Sequence, residues 1–373
     1  MRVICEKEEL IKGIQIVLPV TSSKSTLPVL SNILFETNID KIKLSSTDLE
    51  IAVKCCIKGE IIEDGGITVP AKKFADVIKE LSTKDEIEIN SDETNQINIK
   101  SGKSKFNLMG ISYTEYPIIP EIPKKESFAI KRNLFISMLK KTIFAVSKDT
   151  QRYVLNGTYF IVENGQLKMV ATDGRRLAYI TTNQIQTQMF GKAIVPNKAI
   201  SDILRLLSTE LKSEIIKIGI TDNKLAIEME EIIFTSTLIE GTFPNYEQVI
   251  PRTLSSKVKL NVKNTLSAVK QMAILTVDKL SLEGSAVIKF CFKSNLLKIS
   301  ASTSGVGFGE VELETNYEGE PIEISFNPSF IKDVLQNINE DFAIFEFKNS
   351  LNPTIIVPEK NKDYVCVVMP MRI

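Results

Sequence analysis

Three segments of the chain repeat one pattern of apolar and polar positions. In residues 195–207, apolar side chains recur at positions i, i+3, i+4 and i+7, the spacing that places them on one face of a short helix. Residues 69–81 and 326–338 carry the same pattern, and their apolar positions coincide when the one aspartate of each segment is aligned. Three copies of one structural module are the simplest explanation.

Between the predicted helices, apolar and polar residues alternate with period 2, as in Glu86–Asn90 and Gln166–Val170. Such alternation is typical of antiparallel strands that have one packed face and one face in water. Thr47-Asp48 marks a turn between two of these strands, and Thr172-Asp173 falls at the same turn of the second copy. Each module is therefore predicted to have an α+β fold in which two helices lie against an antiparallel sheet.

Proline-rich segments separate the modules. Residues 116–123 and 243–251 have the composition of linkers. A chain of 373 residues is long enough for two or three domains, and the repeat favours three. We place the modules at residues 1–123, 124–252 and 253–373.

Charge and composition restrict the function further. The chain has 46 Lys and Arg residues against 46 Asp and Glu residues, so it has no net charge. A protein that holds nucleic acid by bulk electrostatics usually carries a basic excess. If DNA is the partner, the positive charge must therefore be concentrated on one surface. The absence of histidine excludes Ser-His-Asp and Cys-His nucleophiles and histidine zinc sites.

The cysteines and the N-terminus indicate a cytosolic protein. The five cysteines lack C-x-x-C spacing and include an adjacent pair, so we expect reduced thiols and neither a metal site nor a disulfide framework. Residues 6–9 are charged before an apolar signal region can form, and no apolar run is long enough to span a membrane. We expect a cytoplasmic chain without a membrane, metal or cofactor partner.

Two local motifs are candidates for a binding surface. Residues 171–178 read Ala-Thr-Asp-Gly-Arg-Arg-Leu-Ala. Alone they indicate a tight turn, because Asp-Gly tolerates positive φ, but their arginines and leucine also suit the rim of a pocket for a partner peptide. Residues 367–373 fit either a last core strand with a frayed end or an adaptable apolar surface, since two methionines flank a proline. The G-x-G-x-G string at 305–309 does not open a helix, so it is weak evidence for a nucleotide site.

The basic residues of the predicted helices lie opposite the apolar stripes. Individually such residues are usually solvated surface charge, but helices gathered around a central hole would point them inward as a set. The carboxylates offer no spaced pair for acid-base catalysis. A hydrolase that uses Asp48 and Asp173 is disfavoured, because these residues repeat as turn markers.

Eight motifs occur in a fixed order along the chain: Thr26–Leu30, Thr47–Glu50, Val69–Phe74, Tyr153–Gly157, Ala171–Ala178, Phe234–Ser236, Phe243–Tyr246 and Val368–Arg372. In these motifs the chain resembles the bacterial DNA polymerase III β subunit family, the sliding clamps, over essentially its full length. The resemblance implies the DNA clamp fold, in which two chains join head to tail and close a ring of six modules with the helices inside. It also implies a non-enzymatic processivity factor that encircles double-stranded DNA without sequence specificity and slides along it.

The resemblance further implies a hydrophobic cleft that receives short peptide motifs. Its expected partners are the replicative DNA polymerase, the clamp loader and other proteins with clamp-binding motifs. The cleft residues expected here are Leu155, Thr172, Gly174, Arg175, Arg176, Leu177, Pro244, Val249, Val367, Met369, Pro370, Met371 and Arg372. The family often has histidine at the position of Arg175 and arginine near the position of Gln248, so we expect a different polar rim.

Two further surfaces follow from the resemblance. The residues expected to face DNA are Lys12, Lys24, Lys79, Lys140, Lys141, Arg152, Lys198, Arg205, Lys270 and Lys332. The residues expected at the homodimer interface are Lys103, Lys105, Phe106, Leu108, Ile274, Leu275, Ser302 and Val306.

The third-module edge of this interface is expected near residues 300–308, where acidic residues are absent. We therefore expect backbone pairing, Phe106 and Leu108 to contribute more than charge pairs. A repeat scaffold that binds only protein shares every fold-level feature and is the alternative.

Overall fold

The structure is a computed structural model that describes residues 1–22, 26–82, 85–119, 127–210, 212–276 and 286–372. The chain divides into two compact units. Unit 1 consists of Met1–Leu134 and Lys198–Leu238, and unit 2 consists of Phe135–Asn197 and Ile239–Ile373. Each unit therefore contains part of the predicted middle module, and the module boundaries near residues 123 and 252 stay a prediction.

The described residues form six α-helices: α1 (Lys7–Val17), α2 (Ala71–Glu80), α3 (Arg132–Ile143), α4 (Asn197–Leu207), α5 (Val262–Thr276) and α6 (Pro328–Gln336). The three helices of the repeated pattern, α2, α4 and α6, are confirmed. Each buries the predicted apolar stripe, for example Ile200, Ile203 and Leu207 in α4. Burial of such side chains stabilises the fold by roughly 1.5–3 kcal/mol each. None of the helices that the structure describes is long and apolar enough to cross a membrane.

The strands in chain order are β1 (Arg2–Cys5), β2 (Asn32–Asn38), β3 (Lys41–Thr47), β4 (Ile51–Lys58), β5 (Glu60–Glu63), β6 (Gly66–Pro70), β7 (Ile87–Ser91), β8 (Gln96–Ser101), β9 (Ser104–Met109), β10 (Ser127–Lys131), β11 (Gly157–Glu163), β12 (Gln166–Thr172), β13 (Arg176–Thr182), β14 (Gly191–Pro196), β15 (Ile215–Ile220), β16 (Lys224–Met229), β17 (Ile232–Thr237), β18 (Ser256–Asn261), β19 (Ile288–Lys293), β20 (Leu296–Thr303), β21 (Gly307–Glu314), β22 (Ile322–Phe326), β23 (Phe342–Phe347), β24 (Thr354–Pro358) and β25 (Tyr364–Val368). All the pairings between them are antiparallel, as predicted.

Unit 1 contains two of the four sheets. Its five-stranded sheet has the order β5-β1-β7-β8-β9, and its eight-stranded sheet has the order β10-β15-β16-β17-β4-β3-β2-β6. The pairing of β17 with β4, in which Phe234 lies opposite Val53, joins strands of the first and second modules into one sheet.

Unit 2 repeats this arrangement. Its eight-stranded sheet has the order β14-β11-β12-β13-β25-β24-β23-β18, and its four-stranded sheet has the order β21-β20-β19-β22. Here β13 pairs with β25, and Leu177 lies opposite Val367. The last strand of the chain is thus an inner strand of the sheet, which positions the residues that follow it.

Aromatic residues at equivalent strand positions recur in the three modules. Each makes an edge-to-face contact with a second ring: Phe35 with Phe74 at 6.0 Å, Phe160 with Phe135 at 6.1 Å and Phe290 with Phe326 at 5.3 Å. In the first two modules this contact joins a strand to a helix, α2 or α3. Such pairs contribute about 0.5–1.5 kcal/mol beyond the area that they bury.

Candidate functional site

The turn between β12 and β13 is held by its own side chains. The Asp173 Oδ1 accepts hydrogen bonds from the backbone N–H groups of Arg175 (2.9 Å) and Arg176 (3.0 Å). The Thr172 hydroxyl accepts from the Gly174 amide at 3.1 Å and donates to the Arg176 carbonyl at 2.6 Å. Gly174 has φ +83°, a conformation that L side chains rarely adopt. The motif is thus the tight turn that Asp-Gly predicts. Hydrogen bonds to Asp173 hold the backbone of Arg175 and Arg176, the two residues after Gly174.

Buried apolar side chains lie next to this turn. Leu155, Leu177 and Val367 are at most 7% exposed and share one cluster with Phe243 and Tyr246. Two tyrosines of the neighbouring strands extend this cluster by ring stacking: Tyr159 with Phe243 (centroids 4.8 Å apart) and Tyr179 with Tyr246 (5.9 Å). Three of the predicted cleft residues therefore lie in one buried apolar cluster in unit 2, which would be the floor of the predicted cleft. The sequence analysis missed Tyr159 and Tyr179, although period-2 alternation in β11 and β13 places them on one face of their strands.

The segment after β25 would be a wall of the predicted cleft, and hydrogen bonds fix its backbone. The Met369 amide donates to the Arg175 carbonyl (2.9 Å), and the Met371 amide donates to the Ser325 carbonyl of β22 (2.7 Å). Met369, Pro370 and Met371 are partly exposed and Arg372 is exposed. The frayed-end alternative is wrong for these residues up to Met371, because their backbone is bonded at both ends.

Other predicted cleft residues are exposed and would form the rim of the cleft. Val249 is 43% exposed, and Pro244, Arg175 and Gln248 are also exposed. The side chain of Asn245 accepts from the Glu247 amide (3.2 Å) and begins a short 3-10 turn that presents Val249. The predicted apolar and polar rim residues are thus accessible beside the buried floor.

Arg176 differs from the other predicted cleft residues. Its side chain is only 12% exposed and donates to Asp173 Oδ2 through Nε (3.0 Å) and to Asp333 Oδ2 through Nη1 (2.7 Å). The guanidinium lies 4.5 Å from the ring centroid of Phe330 and 5.4 Å from that of Phe144. The structure therefore places Arg176 beneath the turn, packed against aromatic rings, and not on the open rim.

Burial keeps two tyrosines of this cluster neutral. Burial, with smaller contributions from Tyr179 and Glu247, raises the pKa of Tyr246 to about 12. Burial also raises the pKa of Tyr159. Both phenols are therefore neutral at pH 7 and serve as packing surface. The carboxylates of Asp48 and Asp173 are both occupied by backbone amides of their own turns.

The cations predicted to face DNA occupy different environments. Four of them form ion pairs: Lys12 with Glu9 (3.0 Å), Arg152 with Asp149 (3.6 Å), Arg205 with Asp202 (2.9 Å) and Lys198 with Asp48. Lys79, Lys140 and Lys270 are exposed and Lys332 is half-buried. Lys24 lies outside the described residues. Arg152 also comes close to the cleft turn, since its Nη1 would lie 2.9 Å from a Cβ built on Gly174.

Lys141 does not have the expected solvated environment. It is half-buried in unit 2, with its Nζ 5.1 Å from the ring centroid of Tyr364. Burial lowers the pKa of Lys141, although Glu340 and Cys366 partly oppose this. Lys141 is therefore packed against the sheet, whereas its neighbour Lys140 extends into solvent.

The helices contain more basic than acidic residues. The six helices contain thirteen Lys and Arg residues against six Asp and Glu residues. Because the whole chain has 46 of each, the rest of the sequence has 33 basic and 40 acidic residues. The helices thus have a net charge of +7 and the rest of the sequence a net charge of −7, although most of the basic residues lie outside the helices.

The predicted interface residues of unit 1 lie in an edge strand or directly before it. In unit 1, β9 is an edge strand; Lys103 and Lys105 are exposed and Phe106 is 39% exposed. Phe106 pairs with Ile99 and Leu108 with Ile97, and both isoleucines are buried, so Phe106 and Leu108 are on the packed face.

The edge strand of the four-stranded sheet in unit 2 differs from the expected one. Ser302 lies in β20, which is paired with β21, so the free edge is β21. Val306 (51% exposed) precedes β21, and Ile274 (73% exposed) and Leu275 lie at the end of α5. Carboxylates alternate along β21 at Glu310, Glu312 and Glu314. The expectation of an edge without acidic residues is therefore wrong.

The chain matches all three domains of one family. The matching descriptions are "DNA polymerase III beta subunit, N-terminal domain" over residues 1–120, the central domain over 129–245 and the C-terminal domain over 247–372. Together these matches cover most of the chain in the order of the predicted modules.

Curated relatives agree with this match. The beta sliding clamp of Pseudomonas aeruginosa is 34% identical over 370 residues, which cover 99% of each chain. That of Chlamydia muridarum is 32% identical and covers 99% of this chain and 97% of the relative.

Solved structures show the same fold. The sliding clamp of Pseudomonas aeruginosa bound to griselimycin has a TM-score of 0.93 at 33% identity, over 100% of both chains. The clamp of Bacillus subtilis has a TM-score of 0.94 at 26% identity and covers 100% of this chain and 99% of that one. The chain therefore belongs to the DNA polymerase III β-subunit family, the β sliding clamps.

Proposed function

We propose that two copies of this chain join head to tail into a ring that encircles double-stranded DNA and slides along it. The observation that carries this proposal is the net positive charge of the helices, 13 basic against 6 acidic residues, in a chain that has no net charge. Helices on the inner surface of a ring would face the phosphates without base contacts, so binding would not depend on sequence. A ring that holds DNA by enclosure needs to neutralise only a few phosphates, so the ring is free to slide along the DNA.

The dimer would form between the two edge strands. Strand β9 and strand β21 are each unpaired along one side within the described residues of their sheets, and such edges are templates for pairing with another chain. In a continuous sheet, Phe106 and Leu108 would add to the packed face. Lys105 on the outer face would come near the glutamates of β21, so charge pairs and backbone pairing would both contribute.

The cleft of unit 2 would bind the peptide motifs of the replicative DNA polymerase, the clamp loader and other clamp-binding proteins. A buried floor, a fixed methionine wall and an exposed rim suit a short apolar segment. The chain would act by tethering these partners to DNA, in the cytoplasm, without a catalytic residue, a cofactor or a metal. Its chemistry is therefore that of recognition.

Retention on circular DNA tests the ring. The chain is loaded by its clamp loader onto a nicked circular plasmid and passed through a sizing column before and after the plasmid is cut. We expect it to remain on the circle and to leave the linear product, because only enclosure depends on free ends. Equal retention on both forms would indicate a groove binder, and loss from both with intact peptide binding would support a protein-only scaffold.

A matched pair of variants connects this test to the dimer. Phe106→Asp places a charge on the β9 edge and should abolish retention on the circle. Phe190→Asp changes a side chain that is 69% exposed and outside both edge strands, so it should leave retention unchanged. Dimer content measured by sedimentation should change in the same order. A Phe106→Asp chain that stays dimeric and on the circle would exclude β9 from the interface.

A further inference from the structure

Arg176 connects the cleft turn to helix α6. Its Nε binds Asp173 within the turn, and its Nη1 binds Asp333 on α6, 157 residues away in sequence. The guanidinium is packed against Phe330, which also belongs to α6. With 12% of its side chain exposed, Arg176 offers little surface to a ligand in the cleft. Its contacts are instead directed into the protein.

Hydrogen bonds fix both ends of Met369–Met371, the methionine wall of the cleft. One end is fixed by the bond from the Met369 amide to the Arg175 carbonyl, which belongs to the turn. The other end is fixed by the bond from the Met371 amide to the Ser325 carbonyl, in the strand that leads directly into α6. The separation of the turn and α6 therefore sets the position of Met369–Met371.

We propose that Arg176 is a positioning residue: through Asp333 it holds α6 at a fixed distance from the turn and thereby sets the width of the cleft. This inference rests on the proposed peptide-binding role of the cleft. It assigns to Arg176 no contact with the bound peptide, and it adds Asp333, which is not among the expected cleft residues, to the groups that determine affinity.

The chemistry of the guanidinium suits this role. Its planar group presents several N–H donors at fixed angles, so one arginine can bridge two carboxylates and still stack on aromatic rings. Lysine has a single ammonium on a flexible stem and cannot reproduce this arrangement. An Arg176→Lys chain would keep the charge but lose the bridge.

Backbone hydrogen exchange in the free chain tests the positioning directly. In Asp333→Asn and in Arg176→Lys, we expect the amides of Gly174, Arg175 and Met369 to exchange about tenfold faster, because one charge-assisted bond is lost. The amides of β11 and β12 should keep their rates, which separates a local effect from general destabilisation. Asp202→Asn is the matched control, because Asp202 occupies the same position of the repeat but pairs with Arg205 on its own helix.

Griselimycin, the ligand of the related Pseudomonas aeruginosa clamp, is the binding probe. We expect Asp333→Asn and Arg176→Lys each to weaken its binding about tenfold, and the double variant to be no weaker than either single one, because both remove the same bridge. Asp202→Asn should bind as the wild type does. Wild-type affinity in Asp333→Asn, unchanged turn exchange, or additive losses would overturn the positioning role. Failure of the wild-type chain to bind griselimycin would count against the proposed cleft, and the exchange rates would still decide the role of Arg176.

Discussion

The Thr47-Asp48 and Thr172-Asp173 turns have the same backbone scaffold and different ionic arrangements. In both, the aspartate Oδ1 accepts from the amides two and three residues later, at 3.0 and 2.7 Å for Asp48 and at 2.9 and 3.0 Å for Asp173. In both, the threonine hydroxyl accepts from the amide two residues later and donates to the carbonyl four residues later. The repeat that the sequence predicts is therefore preserved in individual hydrogen bonds.

The cation that reaches each aspartate comes from a different element. Lys198 extends from α4 to Asp48 and is 59% exposed. Arg176 belongs to the second turn itself, reaches from it to Asp333 on α6, and is only 12% exposed. The first turn is thus closed by a solvated lysine, and the second by an arginine packed between rings. The comparison shows that the same backbone scaffold is combined with a different cation in each module.

The largest expected effect comes from deleting the aspartate in each turn. Asp173→Ala should lower the free energy of unfolding by about 3 kcal/mol and Asp48→Ala by about 2 kcal/mol. Each change leaves two backbone amides without their acceptor, and in Asp173→Ala the largely buried Arg176 also loses one of its two carboxylate partners. Urea unfolding followed by circular dichroism measures both, because the chain has no tryptophan for fluorescence. Equal losses would mean that the burial of Arg176 does not distinguish the turns.

The left-handed residue of each turn gives a smaller effect. The first turn has Leu49 at φ +79°, with a side chain 58% exposed, whereas the second has Gly174 at φ +83°. Gly174→Ala should cost about 1 kcal/mol, because a Cβ is strained in this conformation.

Leu49→Gly is the reciprocal change. It should alter stability by less than about 0.5 kcal/mol, since the relief of strain offsets the greater freedom of glycine in the unfolded chain. Urea midpoints of the two variants check both expectations. A large gain from Leu49→Gly would show that the first turn stores more strain than its hydrogen bonds indicate.

Sequence periodicity predicted the helices better than the strands. The helix predicted within residues 195–207 is α4 (Asn197–Leu207), which buries Ile200, Ile203 and Leu207 of the predicted stripe. Strands β6 and β14, by contrast, each end directly before a helix of the repeat, and β22 ends one residue before α6; the apolar pattern does not predict these three strands. Pro70 and Pro196 are the last residues of β6 and β14, and the helices α2 and α4 begin at the next residue.

The edge strand β21 was missed for a different reason. Its two glycines make it resemble a loop, although Glu310, Val311, Glu312 and Leu313 alternate in the manner of a strand. The role of Arg176 could not be predicted either, since Asp333 and Phe330 are brought to it only by the tertiary fold. The cleft residues as a group were predicted from the family resemblance, because they come from separate segments that no local pattern connects.

A small effect is also expected at a helix position at which the first and second modules differ. Lys141 in α3 occupies the place of Ile16 in α1, and its burial lowers its pKa from 10.5. The unfolded chain therefore binds more protons than the folded one just below pH 10.5, so the cost of burying the charge is complete at pH 7 and is lost as the pH rises. Lys141→Met should stabilise the chain at pH 7 by up to about 1 kcal/mol, and this gain should shrink towards pH 10.5. Urea unfolding across this range measures it, with the exposed Lys140→Met as control. A gain that does not change with pH would show that packing, and not the buried charge, distinguishes the two helices.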